Sequence, residues 1–317
     1  MAADEPDAPP ESPKAEIPEA DRRASVVAMV GAPNAGKSTL VNALVGAKVT
    51  IVSAKAQTTR ARVMGVRMEG AAQLIFVDTP GIFRPRRRLD RAMVQAAWSG
   101  AGDADAACLV YDASRGEPQG FDDLLKRLER ETPQRILVLN KVDQLKRTKL
   151  LDLAASLNAR LGFAHTFMVS ALTGDGVDDL AAALAKEAPP GPWLFPEDQL
   201  SDMNDRLFAA EITREQAFSQ LGQELPYALT VETDLWREYK NGEVRIEQTI
   251  YVERASQRAI VLGKGGDRAR RIREAAQKEL TEALGRKPHL FLFVKVRERW
   301  SEDPERYAPW SLDYNAK

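Results

Sequence analysis

The stretch Gly31-Ala32-Pro33-Asn34-Ala35-Gly36-Lys37-Ser38 decides the fold. It fits the pattern G-x-x-x-x-G-K-[ST], and the apolar run 26–30 feeds directly into it. Behind it, Thr39 opens a helical stretch, 39–45, with Leu40 and Leu44 on one face. Strand, glycine loop and helix in that order make a phosphate-binding loop. Gly31 and Gly36 open backbone conformations that other residues resist, so successive N–H groups converge on phosphate oxygens. The helix N-terminus adds a potential that favours an anion. Lys37 then reaches the outer phosphates and the Ser38 hydroxyl ligates magnesium. A plain Gly/Pro turn would share the composition but not the context.

Three further apolar runs read as buried strands beside 26–30 and 74–77: residues 106–111, 136–139 and 167–169. A weaker strand covers 63–67, and helical patterns cover 121–131 and 150–161. Unbroken apolar strands alternating with helices indicate an α/β unit whose mostly parallel sheet is covered on both faces. This unit spans 24–188. The chain has 317 residues, enough for two domains. Its 44% apolar and 29% charged residues are ordinary for a globular protein. A net charge of -1 excludes a uniformly basic nucleic-acid binder, so any such surface must come from local segregation. The single cysteine, Cys108, lies in an apolar run and reads as a buried small hydrophobe. No stretch is long and apolar enough to span a bilayer, and the start lacks a secretion signal, so a reducing cytosolic compartment is expected. Residues 1–23, acidic and proline-rich, read as a disordered tail.

Ligands of open α/β sheets sit beyond the carboxyl ends of the strands. Asp78-Thr79-Pro80-Gly81 follows one strand. The carboxylate can hold magnesium and the Gly81 amide can meet a terminal phosphate, although an aspartate there could also simply turn the chain. Asn140-Lys141-Val142-Asp143 follows another. Asp143 can accept from both the ring N–H and the exocyclic amine of guanine, a donor pair that adenine lacks. Asn140 can brace neighbouring loops, and the Lys141 stem can lie along the base. Ser170-Ala171-Leu172 follows the last strand, where a backbone amide could reach the guanine oxygen. In this order the four motifs point to GTP or GDP.

The order GAPNAGKS, DTPG, NKVD, SAL is similar to that of translation-factor-class GTPases, and Ala54-Lys55-Ala56-Gln57-Thr58-Thr59-Arg60 resembles the first switch of the Era family. The resemblance implies that Thr59, with Thr58 as the other candidate, closes on magnesium with GTP bound. The metal set is then Ser38, Thr59 and Asp78, and the catalytic set Lys37, Thr59 and Gly81. Asn34 resembles a phosphate-loop asparagine that helps hold potassium. Ile82 stands where Ras-like enzymes carry a glutamine, and an alkyl chain cannot orient water. Slow intrinsic hydrolysis, on the order of 10⁻² s⁻¹ or less, is expected. The arginines at 84–88 read either as a solvated loop or as an RNA phosphate contact.

Pro189-Pro190-Gly191-Pro192 opens a linker, 189–200, after which the grammar changes. Ser201 can cap a helix running to Leu221. Tyr227, Leu229 and Val231 alternate, as do Val244, Ile246, Ile250 and Val252, with Gln248 the exception. These read as antiparallel strands joined through Asn241-Gly242. Helix 257–262, the turn Gly263-Lys264-Gly265-Gly266, a longer helix and a strand over 289–296 follow. A G-x-x-G turn lets backbone approach nucleic-acid phosphates closely. Around it Arg258, Lys264, Arg268, Arg270 and Arg271 supply the basic surface that whole-chain charge conceals. The α-β-β-α-α-β order resembles a type II KH domain, 201–300, followed by a tail at 301–317. The family resemblance extends here through Pro196-Glu197-Asp198, Glu224-Leu225-Pro226-Tyr227 and Trp300. It implies a monomeric bacterial GTPase that binds the 3′ end of small-subunit ribosomal RNA, assists small-subunit assembly and associates peripherally with the inner membrane. A membrane-linked regulatory GTPase whose basic domain binds lipid or another RNA is the alternative.

Overall fold

The apolar runs form a six-stranded sheet in the order β2-β3-β1-β4-β5-β6. The strands are β1 (Arg23–Val30), β2 (Val63–Glu69), β3 (Ala72–Asp78), β4 (Ala106–Asp112), β5 (Arg135–Asn140) and β6 (His165–Val169). All pairings are parallel except β2 against β3. The structure is a computed structural model and describes residues 17–53, 55, 58–60, 62–81, 88–102, 104–132, 134–222 and 225–316. Most of the tail read at 1–23, together with Ile82 and the arginines before Arg88, lies outside those residues.

Helices cover both faces. On one, α1 (Lys37–Val45) and α5 (Val177–Glu187) bury Leu40, Val41, Leu44, Leu180 and Leu184 against β1, β3 and β4. On the other, α2 (Arg88–Gly102), α3 (Phe121–Glu131) and α4 (Arg147–Arg160) bury Trp98, Leu124, Leu128 and Leu157. Strands enclosed in this way need no polar face, which is why their runs are continuous. Cys108 is buried inside β4, and the apolar surroundings push its thiol up to about 12.

The second unit packs α6 (Asp205–Gln220), α7 (Ala255–Leu262) and α8 (Asp267–Leu284) on one face of a sheet ordered β7-β8-β9. Its strands are β7 (Leu229–Glu238), β8 (Val244–Val252) and β9 (Pro288–Val296). The β7–β8 pair is antiparallel and β8–β9 parallel. The hairpin closes as expected at Asn241-Gly242, with Gly242 at φ 83° and the Tyr239 amide donating to Glu243 O at 2.9 Å. Gln248, the break in the alternation, is buried. It accepts from the Thr213 hydroxyl at 2.5 Å and donates to Thr233 Oγ1 at 3.2 Å, so its polarity is satisfied.

One local expectation is corrected. Ser201 does not cap α6; Asn204 does, its Oδ1 accepting from the Leu207 amide at 2.9 Å. Ser201 instead forms a bridge to Gly65. That bridge belongs to a longer pairing in which the linker runs along the outer edge of β2. The Val66 amide donates to Leu200 O at 2.9 Å, and Asp202 N donates to Met64 O at 3.2 Å. Buried Gln73 holds the same segment by accepting from the amides of Leu194 and Phe195. At the other end of the chain, residues 300–316 fold as short 3-10 turns, and Tyr307, Leu312 and Ala316 are buried against Ala92 and Met93 of α2.

Candidate functional site

The loop after β1 has the backbone that its glycines predicted. Gly31 sits at φ 149° with Val110 O where a Cβ would go, and Gly36 at φ 94° faces the Asn140 amide in the same way. Asn34 also adopts a left-handed conformation, φ 63°, without being glycine. Lys37 is buried at the start of α1, and its Nζ donates to Gly31 O at 3.2 Å and Ala32 O at 3.0 Å. Burial pulls its pKa down to about 8, with the Asp78 carboxylate acting in the other direction. Ala35 is buried beneath the loop, whereas Pro33, Ser38 and Thr39 are partly exposed at its mouth.

Hydroxyl groups converge on Asp78. Its Oδ2 accepts from Ser38 Oγ at 2.7 Å, Thr50 Oγ1 at 3.0 Å and Thr59 Oγ1 at 3.2 Å, while Ser38 and Thr59 lie 2.8 Å apart. Its Oδ1 is buried with no hydrogen-bond partner among the described residues. Burial raises the Asp78 pKa, opposed by Ser38, Lys37, Thr50 and Thr59. Oxygen ligands, a buried carboxylate and an unpaired oxygen fit a hard divalent cation such as magnesium. Of the two switch threonines, Thr59 is at this corner. Thr58 turns back on its own loop, donating to Lys55 O at 2.8 Å. Thr50 was not singled out by sequence, and nothing in its immediate neighbours marks it.

Thr79 and Gly81 complete the corner in different ways. The buried Thr79 hydroxyl donates to Met29 O at 2.7 Å, tying the end of β3 to β1. Pro80 is buried beside it. A Cβ on Gly81 would come within 2.7 Å of Pro33 Cα, so its backbone lies against the phosphate-binding loop.

Asn140 does the bracing expected of it. Its Nδ2 donates to Ala35 O at 2.9 Å, and its Oδ1 accepts from Lys141 N at 2.8 Å and Ala171 N at 3.1 Å. One buried side chain thereby ties three motifs together. Lys141, at φ 65°, donates to Asn34 O at 2.9 Å and pairs with Asp112 at 2.5 Å. Burial alone would raise the Asp112 pKa, but Lys141 and Ser114 hold it below its ordinary value. Asp143 is exposed, with Oδ1 accepting from Ser170 Oγ at 2.7 Å. The Ser170 amide donates to Asp175 O at 2.9 Å. Of the stretch from which a backbone amide was expected to reach a guanine oxygen, the Ser170 and Ala171 amides therefore already have protein acceptors. Val142 is half-buried, and Leu172 is 81% exposed at the rim.

The G-x-x-G turn separates α7 from α8, with Gly263, Gly265 and Gly266 at φ 72°, 61° and 81°. Lys264 is exposed on it. The five cations differ in how they are held. Arg258 Nε donates to Val294 O at 3.0 Å and Arg268 Nη1 to Ile260 O at 2.7 Å, so both brace backbone. Arg270 and Arg271 pair with Asp267 at 2.6 and 3.0 Å and remain largely exposed.

A cavity of about 460 Å³ lies away from both surfaces, between β7, Arg60 and residues 300–312. Its lining mixes arginines with carboxylates and includes nothing from the phosphate-binding loop.

The GTPase Era of Bradyrhizobium sp. strain BTAi1 is 58% identical over 297 residues, covering 94% of this chain and 96% of the relative. The chain belongs to the Era family of GTPases. GTPase Era of Rhizobium meliloti strain 1021 is 57% identical over 292 residues, 92% of this chain and 93% of that one. Residues 26–141 match the family described as 50S ribosome-binding GTPase, and residues 224–301 match the KH domain. Among solved structures, Era in complex with MgGDPNP and nucleotides 1506–1542 of 16S ribosomal RNA is similar at TM-score 0.86 and 35% identity. The match covers 91% of this chain and 98% of that one. A point variant of Aquifex aeolicus Era bound to GDP and aluminium fluoride matches with the same score and coverage. The α/β GTPase unit and the KH unit read from sequence are thus those of the family.

Proposed function

We propose that this chain is a magnesium-dependent GTP-hydrolysing switch that binds small-subunit ribosomal RNA near its 3′ end through its KH unit and assists small-subunit assembly. The reading rests on one observation: the chain matches, over 91% of its length, an Era solved with both a magnesium-bound GTP analogue and a 16S ribosomal RNA segment. In this reading 24–188 holds nucleotide, 189–200 links, 201–300 holds RNA and 301–317 closes the chain.

The roles we assign are these. The loop from Gly31 to Thr39 wraps the phosphates, and the Lys37 ammonium exchanges its two carbonyl partners for phosphate oxygens. Ser38, Thr59 and Asp78 hold the magnesium. Magnesium, when bound, neutralises charge on the β- and γ-phosphate oxygens. The segment from Asp78 through Pro80 to Ile82 follows the terminal phosphate, with Gly81 nearest the loop. Asp143 selects guanine, Lys141 lies along it, and Asn140 keeps the motifs from Val142 and Ser170 to Leu172 in register. Asn34 contributes to potassium binding, and replacing potassium by sodium tests that role. With Ile82 in place of a water-orienting amide, intrinsic turnover is slow, about 10⁻² s⁻¹ or below.

On the KH unit, Gly263, Lys264, Gly265 and Gly266 approach the RNA backbone while Arg270 and Arg271 supply charge; Arg258 and Arg268 shape the turn and add to its potential. From the family resemblance we also propose a cytoplasmic monomer with peripheral association to the inner membrane. Crosslinking in cells followed by sequencing of bound RNA tests the main reading. Fragments from the 3′ end of small-subunit ribosomal RNA support it, and scattered messenger RNA refutes it. Vesicle sedimentation competed by RNA tests the membrane association.

A further inference from the structure

The first switch does not hang free beside the nucleotide loop. Described residues of it, and of the segment from Lys48 that leads into it, are fastened to the KH unit. Lys48 pairs with Glu215 and Glu279, the Val52 amide donates to Glu215 Oε1 at 3.0 Å, and Lys55 donates to Phe218 O and Leu221 O. Ile51 is buried in one apolar cluster with Ala209, Ile212 and Leu280.

The fastening continues on both sides of Thr59. On its N-terminal side, Thr58 O accepts from Arg214, whose guanidinium is buried in an ion pair with Glu211 on the same helix. On its C-terminal side, Arg60 is 6% exposed. Its Nη1 donates to Leu229 O at 2.8 Å and its Nη2 to Pro226 O at 3.4 Å, and the guanidinium lies 5.4 Å from the ring centre of Trp300. Trp300 is itself fixed by donating to Ala228 O at 3.0 Å. A buried fork on two backbone carbonyls is a rigid joint, because a planar guanidinium loses little freedom per bond.

We propose that Arg60 is a positioning residue: held by the carbonyls of Pro226 and Leu229, it fixes Thr59 against Ser38 and Asp78, so that seating of the KH unit is read at the metal-binding corner. Arg60 directs its guanidinium to Pro226 O, Leu229 O and the Trp300 ring and acts through Thr59. Arg214, gripping the preceding carbonyl, is the other half of the bracket. The inference rests on the GTPase reading above and adds to it the bond that links the two units.

The test compares the full-length chain with Arg60→Ala, Arg60→Lys, Thr59→Ala and the double variant Thr59→Ala/Arg60→Ala. GTP turnover is measured against magnesium concentration, and GDP affinity by a fluorescent GDP analogue. Arg60→Ala is expected to lower turnover by at least about fivefold, the low end of coupling between linked sites, and to raise the magnesium needed for half-maximal rate. GDP affinity should stay within about twofold, since the threonine acts only on the triphosphate state. Arg60→Lys, whose ammonium reaches one of the two carbonyls, should recover part of the rate. The double variant should turn over no more slowly than Thr59→Ala alone. Unchanged magnesium dependence in Arg60→Ala, multiplying effects in the double variant, or equal loss of GDP and GTP binding would each overturn the proposal. Should Arg60→Ala not fold, the same cycle run with Arg60→Lys decides between additive and non-additive outcomes. If the unaltered chain does not hydrolyse GTP, the functional reading falls instead.

Discussion

Replacing Asp143 by asparagine should convert a guanine site into a xanthine site, and the direction follows from Ser170. The Ser170 hydroxyl accepts from Thr173 N at 3.2 Å and donates to Asp143 Oδ1 at 2.7 Å, so its proton is committed to residue 143. An asparagine there turns its carbonyl oxygen to Ser170 and its amide nitrogen to the base. Guanine presents two donors at that edge, and two donors facing a donor make no bond. Two hydrogen bonds to a charged acceptor, each worth about 1.5–3 kcal/mol, are lost, about 3–6 kcal/mol in all. At 1.4 kcal/mol per tenfold, GTP affinity should fall by roughly 10²–10⁴. Xanthine carries a carbonyl where guanine has its exocyclic amine, so XTP should bind the variant more tightly than GTP. Competition of GTP, XTP and ATP against a fluorescent nucleotide measures this. Retention of GTP affinity within about tenfold, or no preference for XTP, would refute the reasoning. Adding Ser170→Ala frees the amide to turn over and should return part of the affinity for GTP.

Other expectations are narrower. Lys264→Glu with Arg271→Glu should weaken RNA binding across sequences and flatten its salt dependence by about one unit of slope per lost phosphate contact, as read in a salt titration. Cys108, buried with its thiol pushed up to about 12, should resist iodoacetamide in the folded protein and react on unfolding in urea. Leu312→Ala removes a buried side chain from the contact with α2 and should cost about 2–5 kcal/mol by denaturant titration.

Much of the nucleotide site was legible because its chemistry is local. Gly31, Gly36, Lys37 and Ser38 stand within eight residues, and the strand and helix that orient them are their immediate neighbours. Asn140 was legible for a different reason: it sits at a strand end where three loops must meet. Thr50 was not, because only the path of the first switch brings its hydroxyl to Asp78, and no spacing records that path. The same holds for Arg214, which carries an ordinary helical charge in sequence yet is buried beneath Thr58. Charge counting also could not separate Arg258 and Arg268, which brace carbonyls, from Arg270 and Arg271, which face outward. Ser201 was read as a cap because its residue type suits one, but backbone pairing with β2 claimed it first.

That pairing bears on how the protein can be taken apart. β2 is the outermost strand, and an open strand edge offers its N–H and C=O groups to any passing chain. Here residues 200–202 occupy the edge at Met64 and Val66. A nucleotide-binding fragment ending at residue 188 would keep the phosphate-loop and base-reading residues yet bare that seam. It should self-associate, whereas a fragment carried through residue 204 should stay dispersed. Dissection would then disturb handling in solution as well as the bracket on Thr59, which residues beyond 204 supply.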